Sequence, residues 1–195
     1  MTDTQNGIAE VVDRGRTEAP ARRRLLRPAF LVPAIVVGLV LAGIGASLLQ
    51  PWKLFVDDVV HDPLPGLGTG VDRAVGAPEV LASGRFVSHE HETSGTVRVL
   101  RLPDGERFLR IDDLETSNGP ALRVWITDAE VLAGPSGWFV FDDGTYVDLG
   151  ALRGNLGDQN YPLPADLDLD ELTSVSIWCE RFSVSFGAAE LDPGR

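Results

Sequence analysis

Cys179 is the only cysteine in the 195-residue chain, and its thiol is the side chain with the widest range of chemistry here. A single cysteine excludes a cysteine-based zinc site, a Cys-x-x-Cys redox pair and any intrachain disulfide. Two interpretations stay open. The thiol packs as a small hydrophobic group, or it serves redox chemistry or binds a group as a ligand. Outside the cytoplasm an unpaired cysteine is a liability unless it is buried or used.

The sequence His89-Glu90-His91-Glu92 offers a second set of chemically active side chains. Two histidines at i and i+2 could hold a metal ion from one face of a strand, and neighbouring acids would raise their basicity. The alternative is a solvated polar loop. Two nitrogens do not complete a tetrahedral site and no second Cys or His cluster exists in the sequence, so no metal site is predicted. His91 is kept as a secondary candidate for a ligand or an acid/base.

Other motifs favour structural roles. Asp166-x-Asp168-x-Asp170 resembles the opening of a calcium loop, but glycine is missing at the sixth position and Ile177 stands at the twelfth. It is interpreted as a surface strip. No Gly-x-Ser-x-Gly elbow is present, which argues against a hydrolase. The glycines from Gly150 onward lack the Lys-Ser/Thr of a phosphate loop and suit tight turns. An enzyme is therefore not favoured.

The elements that must position these residues are short β-strands. From about Glu79, runs rich in Val, Ile, Phe, Trp and Thr alternate with turn signals such as Pro103-Asp104-Gly105. The predicted strands are Val80–Ser88, Thr96–Leu102, Arg107–Asp112, Leu122–Thr127, Trp138–Asp142, Tyr146–Leu149 and Ser174–Phe186. This pattern predicts an all-β domain, a compact antiparallel β-sandwich or a jelly-roll-like fold.

The strand that carries Cys179 changes its inward face. Alternate positions place Val175, Ile177 and Cys179 on one face. The following apolar set has the opposite parity and consists of Phe182, Val184 and Phe186. The chain is therefore predicted to bulge or bend sharply at Glu180–Arg181.

A stretch without charge precedes the β domain. Residues 28–49 contain no charged side chain, and at 1.5 Å per residue they span about 33 Å, enough for a hydrocarbon core. A cleaved signal peptide is the alternative, but the stretch is long for its apolar region. The arginines at 22, 23, 24 and 27, against Lys53 alone soon after the stretch, predict a cytoplasmic N-terminus.

Charge separates the two parts of the chain. Residues 1–49 hold six arginines against four acids, whereas residues 50–195 hold eleven basic against twenty-five acidic side chains. Such an acidic body would repel phosphates, so no nucleic-acid partner is expected. The predicted organisation is a disordered cytoplasmic tail with a basic flank (1–27), a transmembrane helix (28–49), a juxtamembrane linker (50–78) and an extracytoplasmic β domain (79–195). The membrane is accordingly an expected partner.

Five blocks of the sequence together resemble the DM13 domain family. They are His91–Gly95, Leu114–Ile126, Tyr146–Gly150, Leu152–Tyr161 and Val175–Ala189. The resemblance covers roughly residues 80–191 and leaves the tail and the apolar stretch outside. A membrane-tethered layout also resembles bacterial members of this family.

The resemblance implies a β-rich extracellular module proposed for electron transfer. Its cysteine, matched by Cys179, is suggested to act as a bare thiol or as a ligand to a prosthetic group such as haem. With a redox site at Cys179, Trp178 and Phe182 would shape its environment, and His91 would be the secondary candidate for a ligand or an acid/base. This chain carries no second redox domain, so a redox partner would be a separate protein. The competing hypothesis is a cell-envelope binding module that contacts a basic or carbohydrate partner and uses Cys179 only for structure.

Overall fold

The computed structural model describes residues 28–65 and 76–194. The predictions for the tail at 1–27, and for part of the linker at 66–75, lie outside these residues. The chain forms two compact units that divide after Ile44. Helix α1 (Pro28–Leu49) begins in the first unit and ends in the second.

Helix α1 is the one helix among the described residues that is long and apolar enough to cross a membrane. It contains Pro33 within its first two turns, where a lost helical hydrogen bond costs least. The same length and composition also suit a signal sequence near the N-terminus. A short 3₁₀ turn, Pro51–Phe55, follows the helix.

Eleven strands in the described residues form two sheets, which confirms the predicted all-β class. The first sheet has the order β1-β8-β5-β4-β2-β11, made of β1 (Val59–His61), β8 (Leu156–Pro162), β5 (Arg107–Glu115), β4 (Ser94–Arg101), β2 (Glu79–Arg85) and β11 (Asp192–Pro193). The second has the order β3-β10-β9-β6-β7, made of β3 (Val87–Ser88), β10 (Val184–Glu190), β9 (Ser174–Cys179), β6 (Leu122–Thr127) and β7 (Tyr146–Ala151).

One apolar core joins the inner faces of both sheets, as in a sandwich. Val97 and Ile111 of the first sheet pack in the same cluster as Val124 and Ile177 of the second. Side chains alternate across a strand, so each strand sends every second residue into this core. β9 is buried along its whole length because its other face is covered as well.

The cover on the outer face of β9 is the irregular segment between β6 and β7. Trp125 and Trp178 form a second cluster with Phe141 of this segment and Ala188. Residues 138–142, predicted as a strand, belong to the segment and form bends and turns. The strand prediction was wrong because the three aromatic side chains have different surroundings: Phe141 is buried on the sheet face, Trp138 packs against the main core and Phe139 is exposed.

The chain does break after Cys179, but the break is a hairpin turn, so the predicted single strand Ser174–Phe186 is two antiparallel strands. Glu180–Ser183 form a turn, and Cys179 pairs with Val184 across the hairpin of β9 and β10. Paired residues share a face, so both side chains enter the core. A further register shift follows between Ser185 and Gly187. Phe182 was expected to share the face of Val184, but it lies in the turn and is 54% exposed.

Charged side chains on β4 and β5 join the first sheet to the segment after β1. Arg98 binds Asp112 with two hydrogen bonds, of 2.7 and 2.9 Å. The buried Arg110 donates to Asp112 at 2.6 Å and to the carbonyl oxygen of Asp62 at 3.0 Å. Burial alone would raise the pKa of Asp112, but the two guanidinium groups outweigh it and hold the pKa below its usual value.

The salt bridges of Asp112 with Arg98 and Arg110 predict that the domain loses stability in acid. A carboxylate whose pKa is lowered on folding stabilises the fold above its unfolded pKa, about 3.9, and this contribution is lost as the pH falls through the lower folded pKa. Thermal unfolding between pH 7 and pH 3 should show that Asp112→Asn costs about 1–2 kcal/mol at pH 7 and has a shallower acid slope than the wild type. Asp113→Asn, at the exposed neighbour, is the control. An unchanged slope in Asp112→Asn would contradict the assignment.

Candidate functional site

Cys179 lies at the end of β9 and is wholly buried. Its thiol donates a hydrogen bond to the carbonyl oxygen of Pro120, with 3.3 Å between Sγ and O. Burial raises the pKa of this thiol, and the charge of Glu90 acts in the same direction, against the backbone N–H groups of Phe182 and Arg181. The thiol is therefore protonated at neutral pH. Since the thiolate is the reactive nucleophile, Cys179 is protected from ordinary thiol exchange.

A cavity of about 510 Å³ has on its wall Pro120 and Val184, the hydrogen-bond partner and the strand partner of Cys179. Its wall is mainly apolar and is formed by Leu49, Gln50, Lys53, Glu90, His91, Asn118, Gly119, Pro120, Trp138, Phe139, Phe182, Val184 and Phe186. Pro120, which accepts the Cys179 hydrogen bond, belongs to this wall. The cysteine itself does not.

His91 is on the cavity wall and has two close neighbours. Its Nε2 lies 2.5 Å from a carboxylate oxygen of Glu90. Its ring packs against Phe186, with 3.8 Å between the ring centroids and 39° between the planes. The structure thus brings together His91 and Phe182 of the predicted site, places Cys179 behind the wall, and places Trp178 on the opposite face of the sheet.

His89, which the sequence analysis considered only as a possible metal ligand together with His91, is buried in the structure. Its Nδ1 lies 2.9 Å from Ser185 Oγ, and Ser185 accepts a hydrogen bond from Ser176 at 3.0 Å. The Ser185 hydroxyl hydrogen is then free for Nδ1, which places the ring proton on Nε2. Nε2 has no hydrogen-bond partner in the described part of the chain. Burial lowers the pKa of His89, opposed by the Leu132 carbonyl, so the ring is neutral.

The two histidines of the sequence His89-Glu90-His91-Glu92 have different surroundings. His89 contacts the outer cluster through Phe141, at 5.7 Å between ring centroids, whereas His91 lies on the cavity. The described residues contain no group of three or more His, Cys, Asp or Glu side chains arranged to hold a metal. No periodic pattern in the sequence marks His89 for burial, because its neighbours Ser185 and Phe141 are distant in the chain.

A stack of three aromatic rings crosses the outer face of the second sheet. The rings of Tyr146 and Trp125 are 4.0 Å apart and nearly parallel, at 8°. Trp125 and Trp178 follow at 5.1 Å and 26°. Tyr146 is 43% exposed, whereas both tryptophans are buried. The stack therefore leads from the surface to Trp178, the chain neighbour of Cys179.

A haem held by Cys179 does not fit this arrangement. A group bound in the cavity would need a ligand on the wall, but the Cys179 sulfur is fully enclosed and already donates to Pro120. His91 is on the wall but has Glu90 at its Nε2. The residues present thus do not offer Cys179 as the ligand to a prosthetic group that the resemblance implied.

Comparison with known protein families gives one match. The family model described as "Electron transfer DM13" matches residues 85–191. The matched residues include Cys179, His91 and all three members of the aromatic stack. No curated protein and no solved structure matches the chain.

Proposed function

This chain belongs to the DM13 electron-transfer family, and we propose that it is a membrane-anchored, extracytoplasmic electron-transfer protein whose redox site centres on Cys179. Helix α1 is uncharged along its 22 residues, which suits an uncleaved anchor. The arginine cluster before it and the lone Lys53 after it favour a cytoplasmic N-terminus and a β domain on the far side.

The aromatic stack is the observation that carries the proposal. Indole and phenol rings are among the side chains that lose one electron most readily. When two such rings are in close, nearly parallel contact, the missing electron (the vacancy) can move from one ring to the other. The stack runs from exposed Tyr146 through Trp125 to Trp178. From Trp178 one peptide unit leads to Cys179. Electrons from a separate donor protein would therefore enter at Tyr146.

The environment of Trp125 favours transfer of an electron vacancy through its ring and disfavours a long-lived neutral radical there. Its Nε1 is buried and has no hydrogen-bond partner among the described residues. An oxidised Trp125 cannot pass its proton to a base there, so it stays a radical cation, which is a strong oxidant. Tyr146 is exposed and can release its phenol proton to water. An electron vacancy in the stack therefore moves outward and is filled from Tyr146.

Laser photoionisation of the purified full chain tests this route. A pulse removes one electron from a tryptophan, nitrous oxide scavenges the ejected electron, and tert-butanol removes the hydroxyl radical that this scavenging forms. Tyr146 then gives an electron to the Trp125 cation and its proton to water, so a tyrosyl absorbance grows in. We expect Trp125→Phe to remove most of this fast tyrosyl signal, because phenylalanine keeps the packing but is much harder to oxidise.

Two controls accompany this experiment. Tyr146→Phe should abolish the signal, which identifies the radical. Trp138→Phe changes an indole outside the stack and should leave the rate unchanged. Equal tyrosyl growth in the wild type and Trp125→Phe would contradict the route.

A binding module is the second candidate function, and the mainly apolar cavity favours it. In that case the cavity or the acidic surface contacts a cell-envelope partner, and Cys179 only fills the core. The Cys179 substitution described in the Discussion separates the two functions.

A further inference from the structure

We infer that the cavity beside Cys179 binds a lipid-soluble quinone. The inference rests on the proposed electron-transfer function and assigns a ligand class to the same site. A quinone is a flat, uncharged ring with carbonyl acceptors and an apolar tail. The cavity matches each of these properties in turn.

The size and lining of the cavity suit a flat apolar ring. Its volume of about 510 Å³ is within the range of roughly 300–1,000 Å³ found for small-molecule sites. Aromatic rings from three separate segments form much of the wall, namely Trp138, Phe139, Phe182 and Phe186. Phe139 and Phe182 are 56% and 54% exposed. Apolar rings exposed around a concave surface indicate a ligand or membrane contact.

The wall also offers a charged hydrogen-bond donor. Lys53 brings an ammonium group to the wall, and this group can only donate. Trp138 contributes ring surface, while its Nε1 is enclosed and does not face the cavity. A quinone carbonyl oxygen can accept a hydrogen bond from the ammonium group.

The position of the cavity along the chain indicates a ligand that comes from the membrane. Leu49 is the last residue of α1, and it lines the cavity with Gln50 and Lys53. The wall therefore begins where the apolar stretch ends. A ligand dissolved in the hydrocarbon layer would reach it without crossing bulk water.

Charge on the wall favours an uncharged ligand over a fatty acid. Glu90 lies on the wall together with Lys53, so the cavity has no excess of positive charge. A fatty-acid carboxylate would meet the Glu90 carboxylate and lose part of its attraction to Lys53. A quinone avoids this repulsion.

Calorimetric titration of the detergent-solubilised full chain with duroquinone tests the inference. Duroquinone carries a methyl group at every ring position, so a thiol cannot add to the ring and replace a hydrogen. We expect saturable 1:1 binding. Lys53→Met removes the charged donor and keeps the side-chain length, Phe182→Ala removes part of the wall, and each should weaken binding about tenfold.

Two substitutions of aromatic residues outside the cavity wall serve as controls. Trp52→Phe changes an exposed tryptophan, and Tyr146→Ala changes an aromatic residue of comparable exposure, neither of which lines the cavity. Both should bind duroquinone like the wild type. Absence of saturable binding, equal weakening in the controls, or binding of oleate in place of duroquinone would each overturn the inference.

The outcome is separable from that of the proposed function. The photoionisation experiment uses no ligand, so tyrosyl growth without duroquinone binding removes only the quinone site. Duroquinone binding without tyrosyl growth keeps the site as a binding site and counts against electron transfer through the stack.

Discussion

Replacing Cys179 with serine is expected to abolish the redox response of the protein while the domain stays folded. Serine has nearly the volume of cysteine, and its hydroxyl can keep the hydrogen bond to the Pro120 carbonyl oxygen. The buried hydroxyl should cost only about 1–2 kcal/mol of unfolding free energy. Voltammetry of the full chain on an electrode would measure the response, and thermal unfolding would measure the fold.

The matched control is Ala189→Ser, which adds a hydroxyl to the same buried core but leaves the thiol in place. It should lose stability and keep the voltammetric wave. An identical wave in Cys179→Ser and the wild type would show that the thiol is not the redox group. Absence of a wave from both would favour the binding-module function, because the structural role of Cys179 needs no electron exchange.

Trp178→Ala should give the largest loss of stability in the domain. Trp178 is the largest fully buried side chain, and it is packed between Trp125, Phe141 and Ala188. Truncation removes its buried surface and leaves a cavity that rigid sheet neighbours cannot fill, at a cost of about 3–5 kcal/mol. For a domain of this size the midpoint of thermal unfolding should fall by about 10–20 °C.

Trp52→Ala provides the comparison, since the side chain of Trp52 is 52% exposed. Its unfolding midpoint should stay close to that of the wild type. A fall of less than about 1 kcal/mol for Trp178→Ala would mean that the segment over β9 collapses freely onto the sheet. That result would contradict the packing described here.

The structure was predicted best from the sequence where apolar side chains alternate along a strand and one face of that strand is buried. The face shared by Val175, Ile177 and Cys179, and the break after it, followed from strand parity alone and are confirmed. Phe182 was placed on the wrong face because parity cannot be continued through a turn. The strand rule also failed at residues 138–142, where Phe141 packs on a sheet face while Phe139 is exposed.

Strands β1, β8 and β11 were missed, and for β8 the reason is a composition that is not typical of strands. β8 contains Gly157, Asp158, Gln159 and Asn160, which read as a loop. Gln159 is nevertheless buried, and it accepts hydrogen bonds from Arg153 N and Tyr161 OH and donates to the Gly154 carbonyl. Such partners are distributed over the tertiary structure and leave no periodic signal. The same reason hid the aromatic stack, whose rings come from three strands.

The candidate site was only partly accessible to sequence reasoning. Cys179 and His91 could be named from residue type, because few other side chains could do the chemistry. Their separation by the cavity wall could not, since it depends on how the Pro120 turn crosses the end of β9. The burial of His89 likewise depends on Ser185 and Phe141, which are distant in sequence.

The parallel pairing of β1 with β8 determines how far the proposed anchor lets the domain move. Nine residues separate Leu49 from Val59, and even fully extended they reach at most about 35 Å. Asn118 and Asn155 hold Val56, Asp57 and Asp58, which shortens this reach further. A partner in the same bilayer would meet the domain by lateral diffusion, at a local concentration on the order of millimolar. The rate at which this partner meets the domain would then depend on the density of the partner in the membrane. For a partner dissolved in water, the tether would not raise the encounter rate.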